Sequence, residues 1–286
     1  MTTDARAETA RAARGRWIWT ASAAITVAVV VAALMTATHL RKRFTFGSGG
    51  PWLSTSVQTV TFRQPVNALD LHDYGGPVEV SAGRAGEAQV TEIVHYNGSW
   101  PRPEQSVSNR QLTIADPACL KGRCSIAFRV TVPAGTMARL ESDGGSIDVT
   151  GLAGPVTADS GGGPVIARSV AGGLYARTAG GTLTVHDESG RLTADTGGGP
   201  ADAEGISAAD VMVTTAGGAA TLGLMAVPRH VWADSGGGPV MVQVPVGSYA
   251  VSADSGGGPR EIGVTTDPAS PDTISVSSGG GLVSIR

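Results

Sequence analysis

The residues with the most chemical promise are hydroxyls set between an aspartate and a run of glycine. Asp159-Ser160 precedes Gly161, Gly162 and Gly163; Asp234-Ser235 precedes Gly236, Gly237 and Gly238; Asp254-Ser255 precedes Gly256, Gly257 and Gly258. A threonine version, Asp195-Thr196, precedes Gly197, Gly198 and Gly199. Such a turn suits two chemistries. One is acyl transfer by an activated serine, which needs a histidine base and an orienting carboxylate within hydrogen-bond reach. The other is capture of a hard cation, which wants about six or more oxygen ligands.

The spacing argues against both. One nucleophile suffices for a hydrolase, yet the run DSGGGP is written three times. The nucleophile turn of chymotrypsin-like proteases reads Gly-Asp-Ser-Gly-Gly-Pro, whereas this chain has an extra glycine and an alanine before the aspartate. None of His72, His95, His186 and His230 sits in the expected Ala-Ala-His-Cys setting. Calcium-binding β-rolls place aspartate after the glycines in a nine-residue step; here it comes before them, and Arg177 takes its place in one repeat. Weak divalent binding is the surviving cation reading. Glycan-cleaving stacked-coil enzymes carry clustered acids on long loops, but the loops here are short. Asp187-Glu188, Asp202 and Glu204 read as a solvated outer turn. The expectation is no catalytic residue, no cofactor and no metal.

The elements that carry these turns are repeats. Counting the residue after the last glycine gives Ser146, Pro164, Thr182, Pro200, Ala219, Pro239, Pro259 and Leu282, with steps of 18, 18, 18, 19, 20, 20 and 23. Short alternating runs flank each turn, such as Val156-Thr157-Ala158-Asp159-Ser160 before and Val165-Ile166-Ala167-Arg168 after. Alternation of period two reads as a half-buried strand. One repeat is therefore strand, glycine turn, strand, looser turn. The glycines are expected to supply positive-φ conformations and close approach between neighbours, and the prolines to open a strand where a missing donor matters least.

A single repeat points five or six small side chains inward, worth ~1.5 kcal/mol each, against ~1.5 kcal/mol for ordering every residue. It folds only by stacking on its neighbours. The predicted fold is all-β: a β-solenoid of stacked short-strand repeats of about 18–20 residues, preceded by one transmembrane helix. In-register stacking would place Arg177 between the carboxylates of Asp159 and Asp195, relieving repulsion there, and would leave Asp234 and Asp254 as unrelieved neighbours.

Charge is unevenly distributed. Residues 1–43 hold seven Lys/Arg against two acids, net +5; residues 44–140 hold eight against seven, net +1; residues 141–286 hold six against fifteen, net −9. An acidic array poor in aromatics excludes nucleic acid, which needs a basic stripe with stacking rings. Along the chain, residues 1–16 form a cytoplasmic tail. Residues 17–40, Trp17 to Leu40, carry no formal charge, and 24 residues in a helix exceed a ~30 Å hydrocarbon core, so they read as a transmembrane helix. A cleaved signal peptide is the competing reading. Residues 41–56 form a linker, 57–140 the first irregular β coils and cap, and 141–286 the glycine-turn array. The two cysteines, Cys119 and Cys124, are close enough for a small disulfide, plausible in an oxidising compartment; two unpaired thiols are the alternative.

An amino-terminal span, then GGPVEVSAG at 75–83, FRVTVPAGT at 128–136 and the reiterated DSGGGPV and SDGGSIDV together resemble the bacterial "putative adhesin" family. This is a domain of unknown function built from β-strand repeats, common in membrane-anchored actinobacterial envelope proteins. The resemblance covers about residues 55–286. It implies a solenoid-like fold at the cell surface and transfers no catalytic residue. The expected protein is a non-enzymatic, single-pass membrane protein with its carboxy-terminal domain outside, contacting a wall polymer or an envelope protein. The alternative is an envelope-stress or regulatory accessory protein whose ectodomain senses and whose span transmits.

Overall fold

A computed structural model describes residues 44–46, 54–98, 101–116 and 124–286. Residues 17–40, the expected span, lie outside the described residues. Among the described residues every regular element is a strand, and these form a 13-stranded and a 12-stranded sheet.

Each repeat contributes one strand to each sheet, joined by its glycine turn; such a pair is called a rung here. Val156–Ser160 lies in the 12-stranded sheet and Val165–Arg168 in the 13-stranded sheet. Successive rungs pair parallel and in register: Val156, Ala158 and Ser160 stand opposite Leu174, Ala176 and Thr178, and these opposite Leu192, Ala194 and Thr196. Inward positions alternate with outward ones, as the pleat requires. The inward Val, Leu and Ala side chains of both sheets form one continuous buried cluster.

The end near residue 54 is built differently. The rung made by Ala68–Asp73 and Val78–Gly83 stacks parallel on Met137–Ser142 and Ile147–Thr150. Beyond it, Cys124–Pro133 pairs antiparallel with Ala88–Tyr96, which pairs antiparallel with Ser54–Phe62. Phe44–Phe46, expected as linker, instead pairs antiparallel with Thr55–Val57. Its short β-branched and aromatic run can continue a sheet edge, and the glycines that suggested a linker come only after it. Glu104–Ser108 forms a further edge strand that its polar sequence did not suggest.

The opposite end departs from sequence order. Thr273–Ser278 lies between His230–Ser235 and Ser248–Asp254, and Val283–Ile285 lies between Val240–Gln243 and Arg260–Ile262. The expected contact between Asp234 and Asp254 is therefore absent. Ser277 stands between them in register and donates a hydrogen bond to Asp234 Oδ1. Stacking in sequence order would put two carboxylates about 4.8 Å apart; the inserted rung separates them.

Candidate interaction surface

The serines that suggested chemistry are structural. Ser160 is fully buried; its hydroxyl donates to the Gly145 carbonyl of the preceding rung at 3.0 Å and accepts from Gly163 N in its own turn at 2.8 Å. Ser235 repeats the pattern with Gly218 O and Gly238 N, and Ser278 with Gly238 O and Gly281 N. Ser142, Ser160, Thr178, Thr196, Thr215, Ser235 and Ser278 are in register and form a column of buried hydroxyls; Ser160, Thr178, Ser235 and Ser278 tie one turn to the next, while Thr196 and Thr215 donate to Gly199 O and Gly218 O of their own turns. A hydroxyl held by two buried partners is not a free nucleophile.

The glycines work by close approach. A Cβ on the third glycine of a turn would meet the carbonyl oxygen of the rung below: 2.1 Å from Gly163 to Gly145 O, 1.9 Å from Gly199 to Gly181 O, 2.4 Å from Gly238 to Gly218 O. The first glycines, Gly161, Gly197 and Gly236, would likewise meet Asp143 O, Ala179 O and Ala216 O. The middle glycines, Gly162, Gly198 and Gly237, face open space. The expected positive φ is found in the glycine turns of the two last rungs, at Gly256 and Gly257 and at Gly280, with Gly258 also set against neighbouring carbonyls. In the central rungs it falls at the other corner, on Gly151, Ser169, Asp187 and Gly205, where the chain reverses without glycine runs.

The hydroxyl column ends at Asp73, fully buried and in register with Ser142. Its Oδ2 accepts from Gly75 N, Gly76 N and the Ser142 hydroxyl. Burial, helped by the Asp116 carboxylate, pushes its pKa up to about 6 despite those donors. A second buried carboxylate, Glu188, corrects the reading of Asp187-Glu188 as a solvated turn, which holds for exposed Asp187 alone. Glu188 is fully buried, and backbone bonds align it with Val170 on one side and Ile206–Ser207 on the other. It accepts from Gly190 N through Oε1, while Oε2 has no hydrogen-bond partner among the described residues. Burial pushes its pKa up to about 7.

The outer face of the 12-stranded sheet carries three rows along the stack. One is the charged row: Asp159, Arg177, Asp195, Thr214, Asp234, Ser277 and Asp254 occupy successive register positions. Arg177 Nε lies 3.7 Å from Asp195 Oδ2. Two residues away runs a second row, Thr157, Tyr175, Thr193, Met212, Trp232 and Ser275. Tyr175, Met212 and Trp232 are 42%, 46% and 38% exposed. A third row holds Asp210, His230 and Thr273; Arg191 reaches Asp210 at 2.9 Å, and His230 Nδ1 meets Thr273 Oγ1 at 3.0 Å. Between these rows lies an open trough of about 390 Å³ walled by Thr193, Met212 and Trp232 on one side and Arg191, Asp210 and His230 on the other.

Sequence reasoning found the charged row and missed the aromatic one. The signal was present in the alternation: Tyr175 and Trp232 fall two residues before Arg177 and Asp234, on the outward phase. Among the described residues no group of three or more His, Cys, Asp or Glu side chains is arranged to hold a metal ion. Cys124 opens the strand Cys124–Pro133, and Cys119 lies outside the described residues.

The sequence matches no protein-family model and no curated protein. Among solved structures it is similar to a putative adhesin from Bacteroides fragilis, at 14% identity and a TM-score of 0.45, over 84% of this chain and 99% of that one. A putative adhesin from Parabacteroides distasonis aligns at 13% identity and 0.44, over 84% and 98%. A putative cell adhesion protein from Clostridium sporogenes aligns at 11% and 0.29, over 81% and 98%.

Proposed function

We propose that this chain is a non-enzymatic, single-pass membrane protein that displays a β-solenoid ectodomain outside the cell. Its outer face engages a wall polymer or an envelope protein. The observation that carries this reading is where the aromatics lie. Residues 141–286 contain three aromatic side chains, Tyr175, Trp232 and Tyr249. Tyr249 is fully buried, whereas Tyr175 and Trp232 stand on one outward row three rungs apart, a separation of ~14 Å.

The fold does not ask for them there, since the inward positions of the rungs that carry them are filled by Val, Leu and Ala. Exposed aromatics forgo the apolar burial that would stabilise folding, and exposed rings on a rigid surface are the usual anchors of binding. Two exposed rings spaced along one row suit stacking on the apolar faces of a linear polymer's sugars. The flanking Arg191, Asp210 and charged-row carboxylates supply hydrogen bonds to hydroxyls. The uncharged run at residues 17–40 anchors the ectodomain, and a Cys119–Cys124 bond fits an oxidising exterior.

The test is co-sedimentation of the protein with purified cell-wall material. Trp232→Ala combined with Tyr175→Ala should lower retention about tenfold with no change in melting temperature. Equal retention of the double variant would remove this face from the reading. A second reading, a sensor that signals through the span, is favoured by Glu188 and Asp73, which titrate near pH 7 and pH 6 inside the core.

A further inference from the structure

The inserted rung at the far end of the stack has the geometry of an exchangeable wedge. We infer that the segment Thr273–Arg286 of one copy can occupy the slot between the rungs 230–243 and 248–262 of a second copy, joining two ectodomains. This is independent of the outer-face reading above.

The slot has two complete walls, both preceding the wedge in the chain. Against the first wall, Val240 N donates to Leu282 O at 2.8 Å, Arg286 N to Val242 O at 3.0 Å and the Ser278 hydroxyl to Gly238 O at 2.9 Å. Against the second, Val283 N donates to Pro259 O at 3.0 Å and Gly263 N to Ile285 O at 2.7 Å. Ile274, Val276, Val283 and Ile285 are buried between them. The outer rung, 248–262, reaches the rest of the stack through the wedge, since its strands pair with Thr273–Ser278 and Val283–Ile285 and not with 230–243.

Three features make this unit separable. It is one whole rung, two strands and a glycine turn, with its own internal bond from Gly281 N to Ser278 Oγ at 2.8 Å. It is joined to the outer rung by a mostly exposed connection, residues 263–272, containing Pro268 and Pro271. An emptied slot also resists closing on itself, because closure would set Asp234 against Asp254, which Ser277 now separates. A wedge from another copy restores every contact, so exchange alters only the connecting segment.

The test uses the full chain in detergent. Between the positions that stand in register with Ile262 and Thr273 elsewhere in the stack, the chain uses six residues from Ala203 to Asp210 and seven from Leu222 to His230. Deleting residues 264–270 leaves three between Ile262 and Thr273, too short for a wedge to close on its own slot. The deletion variant should therefore run as a dimer by light scattering, where the parent is mainly monomeric. A folded variant that stays monomeric overturns the proposal. If the variant does not fold, a second experiment decides. Two differently tagged wild-type preparations are mixed, warmed to just below the melting transition and cooled. Exchange predicts that the tags co-purify, and that a tenfold excess of the free peptide Thr273–Arg286 abolishes co-purification. Tags that never co-purify, or co-purify regardless of peptide, overturn it.

Discussion

Two regions of the molecule meet the same demand by different means. Between Ile147 and Gln243 each rung is bonded parallel and in register to the rungs immediately before and after it, with one register shift between Ala203 and Ile206. At the ends, long antiparallel strands do this work on one side, and an inserted rung does it on the other. In the middle, every inward hydroxyl has another in register on the next rung. An end rung has one neighbour only, so its polar column must terminate and its edge must be covered. Asp73 is the terminus of the hydroxyl column, and the wedge supplies a new neighbour where Asp234 and Asp254 would otherwise meet.

The sharpest way to break this picture of the middle is to test its turns one glycine at a time. Gly199→Ala would place a methyl 1.9 Å from the Gly181 carbonyl oxygen, and both groups are fixed in backbone. The rungs would have to separate, losing ladder bonds on both sheets, so the cost should exceed ~3 kcal/mol. Gly198→Ala, one residue away, meets nothing within 4 Å at a negative φ and should change stability by less than ~0.5 kcal/mol. Urea denaturation of the pair provides the measurement. Equal losses would mean that the turns are not in van der Waals contact.

That asymmetry among the glycines bears on what could be read without coordinates. The phase of the turns is enough to align Asp159, Arg177 and Asp195, and alternation alone delimits Val156–Ser160 and Val165–Arg168 as strands. The hydroxyl before each turn is visible as a repeated Ser or Thr, which in sequence suggests a nucleophile. For Ser160 and Thr178 the carbonyl partner belongs to the previous rung, 15 residues away in the chain, and appears only once rungs are stacked. In the sequence Glu188 reads as solvated because charge is normally outside. Nothing local reveals that its corner is aligned with Val170 and Ile206. The wedge was hidden for the same reason: strand order at the ends is decided by contacts between whole rungs, and only the longer final step of 23 residues hinted at a change.

Glu188 gives a second comparison, between a carboxylate held inside the middle rungs and one held at the end. An acid whose folded pKa is raised binds its proton more tightly when folded. Its stability contribution is therefore complete below the unfolded value, 4.5 for Glu188, and is lost as pH rises through about 7. The loss amounts to roughly 3 kcal/mol. Asp73 acts in the same direction between 3.8 and about 6. The protein should melt higher at pH 5 than at pH 8. Glu188→Leu, which restores an apolar residue beside Val170 and Ile206, should raise the melting temperature at pH 8 and flatten the upper part of the profile. The lower part, set by Asp73, should remain. A profile unchanged by the substitution would mean that Glu188 is solvated in solution.

The smallest effect should come from the outer charged row, where the middle and the end differ most in how repulsion is relieved. In the middle, Arg177 sits in register between Asp159 and Asp195; at the end, Ser277 separates Asp234 from Asp254. Arg177→Glu would line up four carboxylates on successive rungs from Glu141 to Asp195. Unit charges about 5 Å apart in water repel by roughly 0.8 kcal/mol. Arg177 and Asp195 are 55% and 42% exposed in their side chains, so solvent and counterions reduce even this. The variant should lose about 1 kcal/mol at low ionic strength and less than half of that in molar salt. Ser277→Ala, which removes only a hydrogen bond to Asp234 and leaves the spacing intact, should show no comparable salt dependence. If salt affected both variants alike, the spacing of charge along the row would not be what distinguishes the two regions.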